Sequence, residues 1–422
     1  MPRHPVGGFE VGVRGSEWPL VGGNQRSRGI GDFSPSWIVC GRGIRVPRFI
    51  LDTYRDGELV VNRRVSALSA VGLMLMTSGF GAVSAHADSA PQCTATDHCY
   101  SVGVIGSQAE PLWMNAVGAD LGVGCLHVDD RDNEFANWEM WILTNLNDPK
   151  LDTWVEAGMT AGTLHASPGQ EKGFLWYWAD SRPGSPYRES YIKPARTNEF
   201  ENVTFKWVPG SGDWEIHQDG DQVAVSAGNG AYGGRADNGL EVTTAGARIA
   251  GASTNFQYQD TGNVWHTAPT YIENDRPDLF FGYTNGKNVV AGTHKPCLDE
   301  VGPMTENDEA TPPTPAGLLA AAKKLASLNG EPNPGNIEYV QTGRQALASL
   351  DGSRTTSDDP AYLIQMTGEF VGHAAKVPRG SKAPRGNVLT LTIDAKTGRT
   401  LGWAIALAPH DLSRLGTVSA LR

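Results

Sequence analysis

NWEMWILT, Asn137 to Thr144, reads as an extended strand with Trp138, Met140 and Ile142 on one side and Glu139, Trp141 and Leu143 on the other. The pattern recurs downstream. In TWVEAGMT, Thr153 to Thr160, the residues Trp154, Glu156, Gly158 and Thr160 share a side. In FLWYWADS, Phe174 to Ser181, Phe174, Trp176, Trp178 and Asp180 align; in YRESYI, Tyr187 to Ile192, Tyr187, Glu189 and Tyr191 align. Successive strands thus each set a carboxylate beside aromatic rings. This predicts one concave face carrying Glu156, Asp180 and Glu189 with Trp154, Trp176, Trp178 and Tyr187.

Working outward, YSVGVIG, LGVGCLHV, NVTFKWV, DWEIHQDG, QVAVSAG and LEVTTAG are further strand-like runs, punctuated by NLNDP, SRPGSP, PGSGD and GNGAYGG. Many short strands at this spacing predict a mainly β domain, an antiparallel sandwich or barrel, over residues 88–297.

Upstream, Arg63 and Arg64 precede an uncharged stretch, Val65 to Val83, and then Ala85-His86-Ala87. That order predicts a signal peptide over residues 62–87, and so an exported, extracellular protein. Ser66, Ser69, Gly72, Ser78, Gly79 and Gly81 interrupt the apolar stretch. A spanning helix needs about 20 predominantly apolar residues, so no stable membrane span is expected once the signal is removed. Residues 1–61 are rich in Gly, Arg and Pro without a hydrophobic period; the expectation is a disordered or mis-annotated extension, with translation starting near Val60 or Val61.

Ten Arg against six Asp and Glu give the first 64 residues a charge of +4, so residues 88–422 carry −15 within the chain's −11. Such an acidic chain argues against a nucleic-acid partner, which needs clustered Lys and Arg. Cys40 lies before the signal, whereas Cys93, Cys99, Cys125 and Cys297 follow it. An even number in an exported chain predicts two disulfides. Of the three pairings, Cys99–Cys125 with Cys93–Cys297 is favoured, the first stapling neighbouring strands and the second tying the domain's ends. No C-x2-C spacing occurs, and no metal or cofactor is expected.

Leu298 to Gly317 is acidic and Pro-rich, a linker. Residues 318–422 read as a small α+β domain, with a helix in PAGLLAAAKKLASLN from Pro315 and strands in AYLIQMTGEFVGHA and NVLTLTIDAKTGRTLGWAIAL. Asp394 to Arg399 makes a hairpin turn in which Gly398 can take positive φ.

No H-E-x-x-H, G-x-S-x-G or G-x-x-x-x-G-K-[ST] motif is present. Trp–carboxylate surfaces suit sugars, and they also suit acid–base chemistry. Carboxyl pairs about 5–5.5 Å apart support retaining glycoside hydrolysis, and pairs about 6.5–9.5 Å apart the inverting kind. Equally, Trp fills sandwich cores, and Arg182, Arg188 or Lys206 could pair the acids. His98, His127, His165, His217 and His266 are scattered and expected to be structural.

Several resemblances attach to these stretches. NWEMWIL resembles the E-x-M-x-W strand of jelly-roll endoglucanases, in which the Glu is the nucleophile; here Met140 follows Glu139 directly. WVEAGMTAG followed by FLWYWADS is similar to paired strands of eqolisin-type glutamic peptidases. Those use a Gln and a Glu on a concanavalin-A-like sandwich to activate water, and Glu156 falls where that strand carries its Gln. LTLTIDAKTGRTLGW resembles the hairpin of PepSY-like propeptide and regulatory modules. His98-Cys99-Tyr100 with the W-V-E-x-G strand resembles a group of secreted bacterial proteins, a likeness that implies no activity.

These readings converge on an antiparallel β-sandwich of concanavalin-A-like or jelly-roll type followed by a small α+β domain. The favoured function is binding of an extracellular polymer, glycan or protein, through the aromatic–acidic face. The alternative is a carboxylate-dependent hydrolase, a glutamic-type peptidase or a glycoside hydrolase, with Glu156 as base or nucleophile, Asp180 or Glu189 as partner, and the C-terminal domain as regulator. An exposed row of Trp rings would mark binding, and carboxylates converging in a cleft would mark hydrolysis. Burial of Trp154, Trp176 and Trp178 in the core would remove both.

Overall fold

The computed structural model describes residues 37–40, 44–47, 91–295, 297 and 312–422, except 108–109, 145–152, 164–173, 231, 268–269 and 352–353. The proposed signal, the rest of residues 1–61 and linker residues 298–311 lie outside the described residues. Within 1–61, β1 (Trp37–Cys40) and β2 (Ile44–Pro47) pair as a hairpin.

Among the described residues, fifteen strands follow before the first helix: β3 (Cys99–Gly106), β4 (Met114–His127), β5 (Phe135–Thr144), β6 (Thr153–Gly162), β7 (Leu175–Arg182), β8 (Ser185–Pro194), β9 (Phe200–Val208), β10 (Asp213–Gln218), β11 (Asp221–Ser226), β12 (Arg235–Val242), β13 (Arg248–Asp260), β14 (Trp265–His266), β15 (Tyr271–Asn274), β16 (Phe280–Asn285) and β17 (Asn288–Thr293). The C-terminal part supplies α1 (Pro315–Leu328), β18 (Gly335–Gly343), α2 (Arg344–Asp351), β19 (Pro360–Val371), β20 (Arg385–Asp394), β21 (Thr400–Ala406) and β22 (Ser419–Ala420). The chain is an antiparallel β-sandwich. One sheet is ordered β11-β10-β9-β4-β13-β17-β16, with β14 on β13. The larger sheet is ordered β15-β3-β12-β5-β6-β7-β8-β21-β20-β19-β18-β22.

Period-2 alternation decides which side chains enter the sandwich. Trp138, Met140, Ile142, Met159, Trp176 and Trp178 from the larger sheet pack with Val117, Leu121, Phe205, Trp214, Ile249 and Phe256 from the smaller one. On the other side of the larger sheet a second core forms. There Tyr100, Trp141, Trp154, Tyr177 and Tyr187 meet Leu318, Leu325, Ile364, Leu391 and Trp403 of the C-terminal part. The sheet itself is continuous across this junction, because β8 pairs with β21: Tyr187 opposite Ile405, Glu189 opposite Trp403.

The expectation of one face carrying three acids is corrected by the β6–β7 register. Glu156 lies opposite Ala179, so Asp180 lies opposite Val155 and turns into the sandwich interior with Trp176 and Trp178. Glu156, Glu189, Trp154 and Tyr187 lie on the outer side of the larger sheet. Trp154, Trp176 and Trp178 are all buried, so no exposed Trp row exists among them. Trp154 is buried beneath the C-terminal part and Trp176 and Trp178 between the two sheets, so the aromatic–acidic face expected from the sequence forms neither an open binding surface nor an open catalytic one.

Helix α1 begins where Thr314 Oγ1 accepts from the Gly317 N–H at 3.1 Å, with Pro315 in the first turn. The last three residues of the expected linker are therefore helical. Leu318, Ala321, Ala322, Leu325 and Ala326 form its buried stripe, the spacing of one helix face. The β20–β21 turn forms as read, with Gly398 at φ 71° and Asp394 Oδ1 accepting from the N–H groups of Lys396 and Thr397. Strand β18 and helix α2 were not expected from the sequence. Among the described residues no helix is long and apolar enough to cross a membrane.

The disulfides are Cys93–Cys99 and Cys125–Cys297, with Cα separations of 5.0 and 6.1 Å, which corrects the favoured pairing. Cys99 on β3 and Cys125 on β4 belong to different sheets and cannot staple neighbouring strands. Cys93 instead reaches Cys99 across the tight turn that joins Thr94 to Asp97. Cys297 follows β17, which flanks β13 on the side opposite β4 and its Cys125. The second bridge spans 172 residues. Replacing Cys125 and Cys297 with Ser is expected to cost about 2–5 kcal/mol, because so long a closure constrains the unfolded chain. Urea denaturation reads this directly, and a change below about 0.5 kcal/mol would show that the bridge contributes no stability.

Candidate functional site

The outer side of β12, β5, β6 and β7 carries a cluster of buried acids. Across β12–β5, Asn137 pairs with Glu241 and Glu139 with Gly239; across β5–β6, Glu139 pairs with Gly158 and Trp141 with Glu156. Glycine at 158 is a steric requirement of this arrangement. A Cβ there would stand 2.3 Å from the Trp138 carbonyl oxygen and 2.7 Å from the Glu139 Cβ. Glu139, Glu156 and Glu241 are fully buried, and one carboxylate oxygen from each lies within 4.8 Å of the others.

Tyr177 of β7 joins two of them. Its hydroxyl lies 2.5 Å from Glu139 Oε2 and also contacts Glu156 Oε1. A phenol has a single proton to donate. The second contact therefore needs a carboxylic acid donating to the phenol oxygen, so at least one of Glu139 and Glu156 holds a proton. Burial first, and then the charge of neighbouring carboxylates, keeps both well above the usual carboxylate range. The same burial and the charges of Glu139 and Glu156 push the Tyr177 phenol up as well. Among the described residues, Glu139 Oε1, Glu156 Oε2 and the Trp141 indole Nε1 are buried without a hydrogen-bond partner.

Glu241 is held differently. It accepts from Asn137 Nδ2 at 2.8 Å, and its Oε1 lies 2.9 Å from the Tyr100 hydroxyl and 2.7 Å from His98 Nδ1. His98 and Tyr100 reach it together because they are two residues apart on one side of the chain, while Cys99 between them points into the sandwich core. An oxygen-only set such as Glu139, Glu156 and Glu241 would suit a hard cation such as Mg2+ or Ca2+. The shared proton meets the same excess of negative charge.

A segment of the chain's own C-terminal part lies against this cluster. Gly372–Pro384 connects β19 to β20. Within it the Val377 N–H donates to Glu241 Oε1 at 3.3 Å, and the Val377 carbonyl accepts from the Tyr100 hydroxyl at 2.7 Å. The Lys376 N–H donates to the Tyr187 hydroxyl at 3.1 Å. The Lys376 ammonium, fully buried, donates to Glu189 Oε1 at 2.5 Å. Glu189 also accepts from the Tyr187 hydroxyl at 2.6 Å and from Trp403 Nε1 at 3.1 Å. Further along, Arg379 binds Glu273 and, at 2.8 Å, Asp275. A cavity of about 260 Å³ lies beside this segment, lined by Trp154, Arg182, Lys382 and Pro384.

No protein-family model matches the sequence, and no curated protein matches it. Among solved structures, a member of the eqolisin peptidase family in complex with the tripeptide Ala-Ile-His is similar at 11% identity and TM-score 0.29, covering 46% of this chain and 96% of its own. A Bacillus licheniformis β-glucanase is similar at 7% identity and TM-score 0.22, covering 44% and 69%. A Clostridium perfringens endo-β-galactosidase is similar at 9% identity and TM-score 0.21, covering 73% and 72%. Likenesses of this degree carry no argument about activity.

Of the acids expected from the sequence, Glu156 lies in the cluster, Glu189 lies at the Lys376 ammonium, and Asp180 lies on the opposite face of the same sheet. Asp180 is inside the sandwich, accepting from Arg188 Nε at 3.1 Å, Arg188 Nη2 at 2.6 Å and the Ser226 hydroxyl at 2.5 Å. Arg188 is one of the three cations foreseen as partners for the acids. Trp176 and Trp178 are core residues, and Trp154 packs on Tyr187 with ring centroids 6.0 Å apart. Sequence reasoning missed Glu241, Tyr177, Tyr100, His98 and Lys376. The alternation of LEVTTAG, which sets Glu241 opposite Leu240 and Val242, was the available signal for the first.

The raised carboxyls give a pH test. A carboxyl that holds its proton more firmly in the folded state contributes stability fully present below its unfolded value, about 4.3. That stability is lost as the pH rises through the folded value. Glu156→Gln cannot ionise. Its Tm relative to the parent is therefore expected to rise between pH 4 and pH 8 (both about). A difference that stays constant with pH would show that Glu156 is not held protonated.

Proposed function

We propose that this is an exported peptidase of the carboxylate-dependent kind, held latent by its own Gly372–Pro384 segment. The observation that carries the reading is the grip on peptide backbone. Glu241 and Tyr100 take the N–H and the carbonyl of Val377 beside the proton-sharing pair Glu139 and Glu156. A surface built for sugars would instead present open rings and hydroxyl-binding groups, and here the rings are covered. Two disulfides fit an oxidising compartment outside the cytosol.

In this reading Glu156, ionised, takes a proton from water as the water oxygen bonds to the substrate carbonyl carbon. Glu139, protonated, gives its proton to the amide nitrogen as the C–N bond breaks. One water is consumed, and the acid and base exchange states. Tyr100 donates to a substrate carbonyl, as it does to that of Val377. The unpartnered Glu139 Oε1, Glu156 Oε2 and Trp141 Nε1 are the groups left to meet water and substrate.

The test removes the segment without removing the module. Val371 and Arg385 face each other in the β19–β20 register, so a two-residue Asn-Gly turn can replace Gly372–Pro384. This loop-exchanged protein is expected to hydrolyse unfolded polypeptides at least about 100-fold faster than the parent chain. A correctly folded exchange protein inert towards peptides from acid to neutral pH would sink the proposal.

A further inference from the structure

From the surroundings of Lys376 we infer that Glu189, with the rings of Phe135, Tyr177 and Tyr191, forms a subsite that selects a lysine side chain in the substrate. This rests on the peptidase reading, whose substrate class it narrows. The Lys376 ammonium is 5.3 Å from the Phe135 ring centroid, 5.0 Å from that of Tyr177 and 5.8 Å from that of Tyr191. Those are distances at which ring faces attract a cation. Glu189 closes the pocket with an ion pair of zero exposure on either side. Three rings and one carboxylate thus enclose the ammonium.

The parts of the pocket come from the sandwich, not from the segment that fills it. Phe135 lies on β5, Tyr177 on β7, and Glu189 and Tyr191 on β8. Trp403, which also donates to Glu189, sits on β21, held by its pairing with β8. Withdrawal of the Gly372–Pro384 connection therefore leaves the pocket assembled around an unneutralised Glu189. A substrate lysine restores the pair. A neutral side chain of the same length leaves the buried carboxylate uncompensated, which makes the pocket discriminate by charge rather than by fit. Arginine is excluded by a different route: its broad, planar fork does not match a box sized to a compact ammonium.

Lys376 is also two atoms of backbone away from the Val377 amide that Glu241 holds, so the pocket and the acid cluster read adjacent parts of one peptide. A lysine preference should accordingly appear at one fixed position relative to the cut.

Two measurements test this. In the first, the loop-exchanged protein digests a diverse peptide library, and matched peptides with lysine, arginine or norleucine at the enriched position are then compared. Lysine is expected to exceed norleucine in kcat/KM by about 30-fold or more, and Glu189→Gln is expected to shrink that ratio to within about threefold. Cleavage without lysine preference, or with a preference that Glu189→Gln does not alter, overturns the subsite and leaves the peptidase reading standing. In the second, which needs no catalysis, full-length Lys376→Ala is melted with n-butylammonium or n-butanol. Butylammonium alone should raise Tm, and the rise should vanish in Lys376→Ala with Glu189→Gln. Equal shifts from the two additives, or none from either, overturn the subsite even where no peptide is cleaved. Should Lys376→Ala fail to fold, the library ratio decides.

Discussion

In the loop-exchanged protein, Glu156→Gln is expected to lower peptide hydrolysis by a factor of about 10²–10⁴, the range for losing a positioned acid or base. Glu139→Gln should cost a similar factor, because the pair works with one proton between its two members. Thermal melts of each variant at the pH of the assay separate a loss of chemistry from unfolding. The rate should follow a bell in pH, since full protonation removes the base and full ionisation removes the acid. Initial rates on an unfolded protein substrate, taken across the acid-to-neutral range, check both points. If either variant keeps a rate within about threefold of its parent, that residue has no part in the chemistry.

The second large effect concerns stability in the full-length chain. Lys376→Met leaves Glu189 buried without its cation, and breaking such a pair from one side costs about 3–5 kcal/mol. The Tyr187 hydroxyl and the Trp403 indole still donate to Glu189, which places the expectation at the lower end of that range. Adding Glu189→Gln should recover most of the loss, because the double variant buries no unpaired charge. Urea denaturation of the parent, the two single variants and the double variant gives the coupling energy. A Lys376→Met loss under about 1 kcal/mol would mean that the pair contributes little to holding the segment in place.

Alternation within each strand was fully legible. Glu139, Trp141, Trp154, Glu156, Tyr187 and Glu189 each take the side that period 2 assigns, and Trp176, Trp178 and Asp180 take theirs together. The relation between strands was not legible. Whether Asp180 shares a face with Glu156 depends on pairing register, and a shift of one residue exchanges the faces. Glu156 opposite Ala179 is that one-residue difference from the expected arrangement. Long-range order hid the rest. Glu241 joins Glu139 because β12 is inserted between β3 and β5, far from its sequence neighbours. Lys376 sits in a connection with no periodic pattern, GHAAKVPRGSKAP, and only the folded chain brings it to Glu189. The cysteine count predicted two bridges correctly. Their pairing depended on which strands share a sheet, which composition and spacing do not encode.

The pairing of β8 with β21 has a consequence for how the protein is made. Glu189 and the Trp403 that binds it are 214 residues apart, so the last strands of the chain complete a sheet begun by its first half. Synthesis proceeds from the amino end. Until β21 arrives, β8 offers a bare row of backbone donors and acceptors, an invitation to pair with another copy. Contacts this distant in sequence also form slowly. Loss of only the final few tens of residues, by premature termination or proteolysis, would remove the cap from the emerging sheet and send the product towards aggregates rather than towards a shortened soluble form.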